Sequence, residues 1–328
     1  MFTQRLAPLA EVLLVLALGN LVGETLFSYL APSSVIDGTA SERAQAFMSG
    51  LLIFMRLGLA GLFGFLLLYY RRGLTPRQAG LSRNNQSLKT LAGTGILLGL
   101  VSSFLVSLLF AIHAIIPLGA GLPAWWTYSD TPINLAFWIS VLGTSVIIPP
   151  LTEEIMARGY FRVRLVESYG TMAGVVMTSL VFGLSHTRYL ANDGMLLLFM
   201  LIILINSVSW TYLAQKTGSI IPSLFAHGVS NGIGTAVLFN TWIPFFLVTA
   251  AVLIFYKPII ATLKEFLQDW RADQQKNSLW QGLLVILVIL VATLSMLNLA
   301  GRTVTIISLG VFCLFVTAIN LVMERMSK

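Results

Sequence analysis

Three short stretches of this sequence place ionisable or amide side chains within otherwise apolar surroundings. They are Glu153-Glu154-x-x-x-Arg158, Phe182-x-x-x-His186 and His227-x-x-x-Asn231. Ionisable groups are costly inside apolar segments and are therefore candidates for function. The chain has only three histidines, and all of them fall in or beside apolar runs. These stretches are therefore where chemistry is expected.

The two adjacent glutamates are predicted to differ in role. Neighbouring residues of a helix point about 100° apart, so the two carboxylates do not share a face. Glu154 and Arg158 are four residues apart and can form an ion pair on one face. The spacing therefore predicts a structural Glu154 and a Glu153 that faces a cavity. A pair of interfacial carboxylates beside a basic cluster is the alternative.

The third stretch brings a histidine and an amide to one side of a helix. His227 and Asn231 are four residues apart, so their side chains can converge on one point. Imidazole can donate, accept or bind a metal, and the amide can donate. Both stretches also have a structural interpretation. Asn231 could instead form a hydrogen bond between helices, and His186 could simply mark the end of a span. One carboxylate, two histidines and an amide together provide what water activation and oxyanion stabilisation require.

The composition indicates what kind of protein must position these residues. Of the 328 residues, 57% are hydrophobic and 10% are charged, and the mean hydropathy is +0.86. An ordinary soluble domain has about 25% charged residues. A soluble enzyme, a disordered chain and a nucleic-acid-binding protein are therefore excluded, and the predicted fold is an all-α bundle of transmembrane helices. The single cysteine, Cys313, excludes a disulfide within one chain.

About ten apolar runs are candidates for membrane spans. They are residues 9–31, 47–70, 91–117, 134–157, 171–190, 195–215, 219–240, 242–256, 279–299 and 303–323. If the N-terminus is cytoplasmic, 16 of the 20 lysines and arginines lie inside, among them Arg158, Arg162 and Arg164, and three lie outside. This asymmetry predicts an even number of spans, with both termini in the cytoplasm.

The chain divides into three predicted parts. Residues 1–133 form N-terminal spans and loops, residues 134–240 form a core that holds the three stretches, and residues 241–328 form a C-terminal region. The C-terminal region contains a polar cytoplasmic segment, 257–278, whose mixed charges fit either a surface helix or a solvated loop.

Four further ionisable residues fall inside predicted spans, namely Glu11, Glu24, Arg56 and His113. Glu24 and Arg56 lie on two successive antiparallel spans, at depths that differ by only about 4–5 Å at 1.5 Å per residue. An arginine at this depth needs a partner. The sequence therefore predicts an ion pair between them, with the alternative that Arg56 faces a central cavity and contacts substrate.

The three stretches, in this order and inside apolar runs, resemble the three motifs of the CPBP family. This family comprises the CAAX proteases and bacteriocin-processing proteins, also called the Abi family, and includes the prenyl-protein endopeptidase. The resemblance covers roughly residues 134–240. It implies that Glu153, assisted by His186, activates the attacking water, that His227 and Asn231 stabilise the oxyanion, and that Glu154 and Arg158 hold the helix.

The resemblance leaves the cofactor open. The family is often labelled as metalloprotease, yet a metal-free glutamate mechanism is also proposed for it. The sequence has no His-Glu-x-x-His zinc motif, although Glu153, His186 and His227 could provide three ligands of a catalytic zinc. A metal-free site is preferred here, and zinc is the alternative.

The expected function is that of an intramembrane endopeptidase, which hydrolyses a membrane-associated peptide or protein. The expected partners are membrane lipid and that substrate, without nucleic acid, and the expected location is the bacterial inner membrane. Two other functions remain open at this point. One is a non-catalytic membrane scaffold or immunity factor, and the other is a secondary transporter, since intramembrane charges also mark ion pathways.

Overall fold

The computed structural model of the protein describes residues 2–36, 42–118, 142–186 and 194–274. Within these ranges every regular element is a helix, and no β-strand occurs. The prediction of an all-α fold is therefore confirmed for the described part of the chain.

Within the described residues, nine helices of more than two turns, numbered here in chain order, make up the bundle. They are α1 (Phe2–Leu30), α2 (Glu42–Arg72), α3 (Leu88–Ile115), α4 (142–169), α5 (Thr171–Leu184), α6 (Gly194–Thr217), α7 (Ile221–Phe239), α8 (Trp242–Ile254) and α9 (Tyr256–Gln274). A one-turn helix, Ser33–Ile36, follows α1. A positive φ of 88° at Gly170 lets the chain turn sharply from α4 into α5.

Helix α4 is irregular, and it carries the first of the three motifs. It alternates between π-helical and α-helical segments: Leu142–Ile147 (π), Ile148–Glu154 (α), Ile155–Phe161 (π) and Arg162–Tyr169 (α). π-Helical turns are rare and occur frequently at functional sites. Here they flank the segment that ends at Glu154.

Four described helices are long and apolar enough to cross a membrane: Ala7–Leu30, Phe54–Arg71, Leu88–Ile115 and Leu198–Thr217. The pair Trp242–Ile254 and Tyr256–Ala272, bent by 73°, makes a fifth if it counts as one span. The chain is an integral membrane protein, but ten spans are not confirmed. The last two predicted spans, 279–299 and 303–323, lie outside the described residues, and the cytoplasmic location of the termini stays a prediction.

The predicted fourth, fifth and seventh spans are not among these candidates, and residues 134–141 and 187–190 of the fourth and fifth lie outside the described part of the chain. Helix α4 carries buried arginines along its second half. Helix α5 has 14 residues, about 21 Å at 1.5 Å per residue, which is less than the roughly 30 Å hydrocarbon core of a bilayer. Helix α7 interrupts its apolar residues with buried serine, histidine and threonine.

Arg158, Arg162 and Arg164, which were counted among the cytoplasmic cations, lie within the helix bundle, and their side of the membrane stays a prediction. All three are buried, because α4 continues through them to Tyr169. Arg164 Nε donates to Glu11 Oε1 at 3.1 Å, and Arg162 Nη1 donates to Gln215 Oε1 at 2.5 Å. Each guanidinium therefore has a polar partner on another helix, which a single-span reading of the sequence does not reveal.

The approach of α3 to α7 depends on two glycines. A Cβ built on Gly95 would lie 2.3 Å from the carbonyl oxygen of Pro222, and one built on Gly99 would lie 2.8 Å from that of Ala226. A larger side chain at either position would push the helices apart. The close contact fixes the half of α7 that carries His227.

The predicted pair between the first two spans is confirmed. Arg56 Nη1 lies 3.6 Å from Glu24 Oε1. Arg56 Nε also donates to Asn20 Oδ1 at 2.5 Å, so the guanidinium bridges two polar residues of α1. His113, by contrast, lies at the end of α3, where its Nδ1 accepts from the backbone N–H of Leu118 at 3.1 Å.

The Glu24–Arg56 pair yields a prediction about stability alone. We expect the fall in melting temperature of the double variant Glu24→Gln/Arg56→Gln to differ from the sum of the falls in the two single variants, because the residues interact directly. Cleavage activity should be nearly unchanged in all three variants. Additive stability effects, or loss of turnover in Arg56→Gln without destabilisation, would instead favour a contact with substrate.

Candidate active site

The structure brings both histidines of the motifs to the same carboxylate. Glu153 Oε2 lies 3.7 Å from Nε2 of His227 and 3.9 Å from Nε2 of His186. Glu153 and His227 are buried. Residues from α4, from α7 and from the turn that ends α5 thus meet at one point inside the helix bundle.

Glu154 contacts His227 from the other side of the imidazole ring. His227 Nδ1 lies 2.8 Å from Glu154 Oε1. Because a carboxylate oxygen only accepts, Nδ1 carries the hydrogen of this bond. The ring is therefore held with Nε2 directed at Glu153. The sequence prediction gave Glu154 a structural role alone, and the contact with His227 adds a second one.

The predicted ion pair between Glu154 and Arg158 is confirmed, and it belongs to a larger network. Arg158 Nη1 donates to Glu154 Oε1 at 2.9 Å, and neither side chain is exposed to solvent. The remaining donors of Arg158 bond to α6: Nη2 to Ser207 Oγ at 2.8 Å and Nε to Thr211 Oγ1 at 3.1 Å. The buried charges are thus paired and hydrogen-bonded, as a buried ion pair requires.

Aromatic rings hold the His227 imidazole in place. Trp210 stacks on it with ring centroids 4.6 Å apart, and Phe182 meets it edge-on at 6.3 Å. Trp210 is itself fixed, because its Nε1 donates to Ser102 Oγ on α3 at 3.0 Å. The guanidinium of Arg158 lies over the ring of Phe182 at 4.6 Å. The imidazole therefore has little freedom to rotate.

His186 is oriented by its own helix end. Its Nδ1 lies 3.2 Å from the carbonyl oxygen of Phe182 and 2.9 Å from Ser185 Oγ. A carbonyl oxygen can only accept, so this contact places the hydrogen on Nδ1 and leaves Nε2, on the side of Glu153, able to accept a hydrogen bond but not to donate one. The four-residue spacing between Phe182 and His186 thus sets the ring orientation.

Asn231 has a structural partner that the sequence explains. Its Nδ2 donates to the carbonyl oxygen of Ser145 at 2.9 Å. In an α-helix that carbonyl would bond the N–H of residue 149, and in a π-helix that of residue 150. Both are prolines, which have no N–H. The amide of Asn231 therefore donates to a carbonyl that Pro149 and Pro150 cannot serve. At least one of its two amide hydrogens thus forms a hydrogen bond between helices.

The two roles of Asn231 can be separated by experiment. If its second amide hydrogen reaches the oxyanion, we expect Asn231→Ala to lower kcat by roughly 10²–10³. Loss of the bond to Ser145 should lower the melting temperature as well. A large fall in melting temperature with little change in kcat would assign Asn231 to helix packing alone.

Sequence reasoning missed the part of the site that lies on α6. Ser207, Trp210 and Thr211 hold Arg158 and His227, yet the prediction treated α6 as a plain span. The available signal was the spacing of Ser207 and Thr211, which puts two hydroxyls on one face of an apolar helix. No local signal marks Trp210, because its contact with His227 joins distant parts of the chain.

The donor spacing does not match a zinc site. Zinc bonds of about 2.0–2.2 Å in a tetrahedral arrangement place neighbouring donor atoms about 3.3–3.6 Å apart. The distances from Glu153 Oε2 to the two Nε2 atoms are larger, at 3.9 and 3.7 Å. In the described part of the chain, no cluster of three or more His, Cys, Asp or Glu side chains has the geometry to hold a metal ion. These distances therefore favour a site in which protein groups alone activate the water.

The comparisons with known proteins agree with the motifs. A family model described as Type II CAAX prenyl endopeptidase Rce1-like matches residues 134–233, a segment that includes Glu153, His186, His227 and Asn231. Neither a curated protein nor a solved structure matches the chain. The resemblance seen in the three motifs is thus confirmed by an independent match over the same segment, and this match supports the membership of the chain in the CPBP, or CAAX protease, family.

Proposed function

We propose that this protein is an intramembrane endopeptidase that uses Glu153 to activate water. The observation that carries the proposal is the position of Glu153 Oε2, within 4 Å of Nε2 of both His186 and His227. A carboxylate between two oriented imidazoles is a general base with neighbours that can share its proton. The family match adds support for peptide hydrolysis as the reaction.

The first step is attack of water on the scissile carbonyl. A water molecule between Glu153 and His186 transfers a proton to the Glu153 carboxylate while its oxygen bonds to the carbonyl carbon. His186 Nε2, which is an acceptor in the tautomer set by Phe182, accepts the other water hydrogen in a hydrogen bond. The water is thereby held by two acceptors with its lone pair directed at the substrate.

The negative charge that develops on the carbonyl oxygen needs donors. We propose that His227 carries a hydrogen on each ring nitrogen from the start of the reaction to its end, so that it donates from Nδ1 to Glu154 and from Nε2 to the oxyanion. Glu154 acts here as a positioning residue, because it holds the ring without touching substrate. Asn231 is the proposed second donor, through the amide hydrogen that is not bonded to Ser145.

Collapse of the tetrahedral intermediate completes the reaction. The carbon–nitrogen bond breaks as the carbonyl re-forms, and the proton held by Glu153 passes to the leaving amine. The second proton of the attacking water leaves the new carboxylic acid for the amine, so the products are a carboxylate and an ammonium group, and Glu153 returns to its ionised form. The substrate is a peptide at the membrane, since the three helices that form the site belong to an integral membrane protein. The bacterial inner membrane remains the proposed location.

The test is cleavage by the purified protein. We expect wild-type protein in detergent or liposomes to cleave a membrane-associated peptide, with the products identified by mass spectrometry. Glu153→Ala prepared in parallel should be inactive while its melting temperature shows that it is folded. Equal product formation by the two proteins would point to a contaminating protease and would contradict the proposal. Absence of cleavage by wild-type protein across peptide classes would favour the scaffold or immunity function.

Metal dependence gives a separate prediction. Because the donor spacing does not match zinc, we expect activity to persist after treatment with a chelator and in protein whose metal content is well below one ion per chain. His186→Ala and His227→Ala should then lose activity without loss of bound metal. Chelator-sensitive activity, restored by zinc and accompanied by about one ion per chain, would contradict the metal-free scheme.

A further inference from the structure

We propose that helix α9 is a docking surface for anionic phospholipid headgroups. From the sequence, the segment 257–278 could form either a surface helix or a solvated loop. The structure describes a helix as far as Gln274, and residues 275–278 lie outside the described part. This inference concerns how the protein contacts its membrane and is independent of the proposed protease activity.

The direction of α9 sets it apart from α8. Helix α8 is strongly apolar, and the chain bends by 73° before α9 begins. Phe255 and Tyr256 are exposed at the bend, where aromatic side chains typically sit at the level of lipid headgroups. With α8 entering the bilayer along its normal, a helix at this angle to α8 lies closer to the plane of the membrane surface than to that normal.

One face of α9 is basic. Lys257, Lys264 and Arg271 follow one another at intervals of seven residues, and all three are exposed. Seven residues make nearly two helical turns, so these side chains align along one side of the helix. A row of this kind attracts a negatively charged surface.

An exposed apolar face lies next to the basic row. Ile260, Leu263 and Leu267 are between 44% and 55% exposed, and their spacing of three and four residues places them on one side. Basic residues beside apolar ones are the pattern of a helix at a membrane interface, where apolar side chains enter the acyl boundary and cations meet phosphate groups.

The remaining faces of α9 are bound to the protein and hold the helix in place. Phe266 packs edge-on against Tyr212 of α6, with ring centroids 5.0 Å apart. Two of the three acidic residues of α9 are paired there, since Tyr212 donates to Asp269 at 2.5 Å and Lys216 forms an ion pair with Glu265. The acidic side faces α6, and the basic and apolar faces are left for lipid. Because α9 is bonded to the bundle, lipid binding should stabilise the whole fold.

The experiment compares lipids and charge variants of the full-length protein in detergent micelles. We expect added phosphatidylglycerol to raise the melting temperature by several degrees more than phosphatidylcholine with the same acyl chains. The variant Lys257→Gln/Lys264→Gln/Arg271→Gln should lose this difference, and Lys264→Gln alone should lose part of it. A matched control, Arg77→Gln/Arg83→Gln/Lys89→Gln, removes three exposed cations elsewhere and should keep it.

The outcomes are distinct. Equal melting temperatures of wild type and variants in phosphatidylcholine would show that the substitutions leave the fold intact. A triple α9 variant that keeps the full response to phosphatidylglycerol would overturn the proposal, as would a control that loses it. Inorganic phosphate alone reproducing the stabilisation would also overturn it, because the site would then bind a soluble anion and not a lipid surface.

Discussion

Replacing Glu153 by glutamine should abolish detectable turnover and leave the protein folded. Glutamine keeps the size of the side chain but cannot accept a proton, and a positioned general base contributes about 10²–10⁴-fold to a rate. The melting temperature should change little, because the ion pair of Glu154 with Arg158 stays intact. The measurement is the initial rate of peptide cleavage beside thermal melting in detergent.

A matched control comes from the same helix. Glu167 lies further along α4 and is 42% exposed, so Glu167→Gln removes an equal charge at a distance from the histidines. This variant should cleave at the wild-type rate. Wild-type activity in Glu153→Gln would remove Glu153 from the mechanism.

Replacing Glu154 by glutamine should be the most destabilising of these changes. Arg158 would become a buried cation without its counterion, and breaking a buried pair in this way costs about 3–5 kcal/mol. Activity should fall as well, because His227 Nδ1 would lose its carboxylate acceptor. The imidazole ring would then no longer be held in a fixed orientation. We therefore expect both a lower melting temperature and a lower kcat in Glu154→Gln.

A double variant separates the two effects. Removing both charges in Glu154→Gln/Arg158→Met should restore much of the lost stability, since no unpaired buried charge remains. Turnover should stay low, because His227 still lacks its carboxylate. Recovery of both stability and activity would limit Glu154 to a structural role, and an unchanged melting temperature in the single variant would contradict the buried pair.

Contacts within one helix could be predicted from the sequence. The pairing of Glu154 with Arg158 and the contact of His186 with Phe182 both follow from four-residue spacing. The partner of Asn231 was also accessible in principle, because Pro149 and Pro150 leave the Ser145 carbonyl without its helical donors. Each of these contacts is determined by a few residues that lie close together in the sequence.

Contacts between helices could not be predicted in the same way. The bond from Glu154 to His227 joins residues 73 positions apart, and the stacking of Trp210 on His227 depends on how α6 and α7 meet. The burial of the α4 arginines was missed for a related reason. Charged residues at the end of an apolar run resemble a solvated loop unless their partners, such as Glu11 on α1, are known.

The most direct test of the central claim is to follow the oxygen of water into the product. Wild-type protein and Glu153→Gln would cleave a membrane-anchored peptide in water enriched in heavy oxygen, with the products analysed by mass spectrometry. We expect one heavy oxygen in the new carboxylate with wild-type protein and no product with Glu153→Gln. Labelled product formed at the wild-type rate by Glu153→Gln would contradict the assignment of Glu153 as the base that activates water.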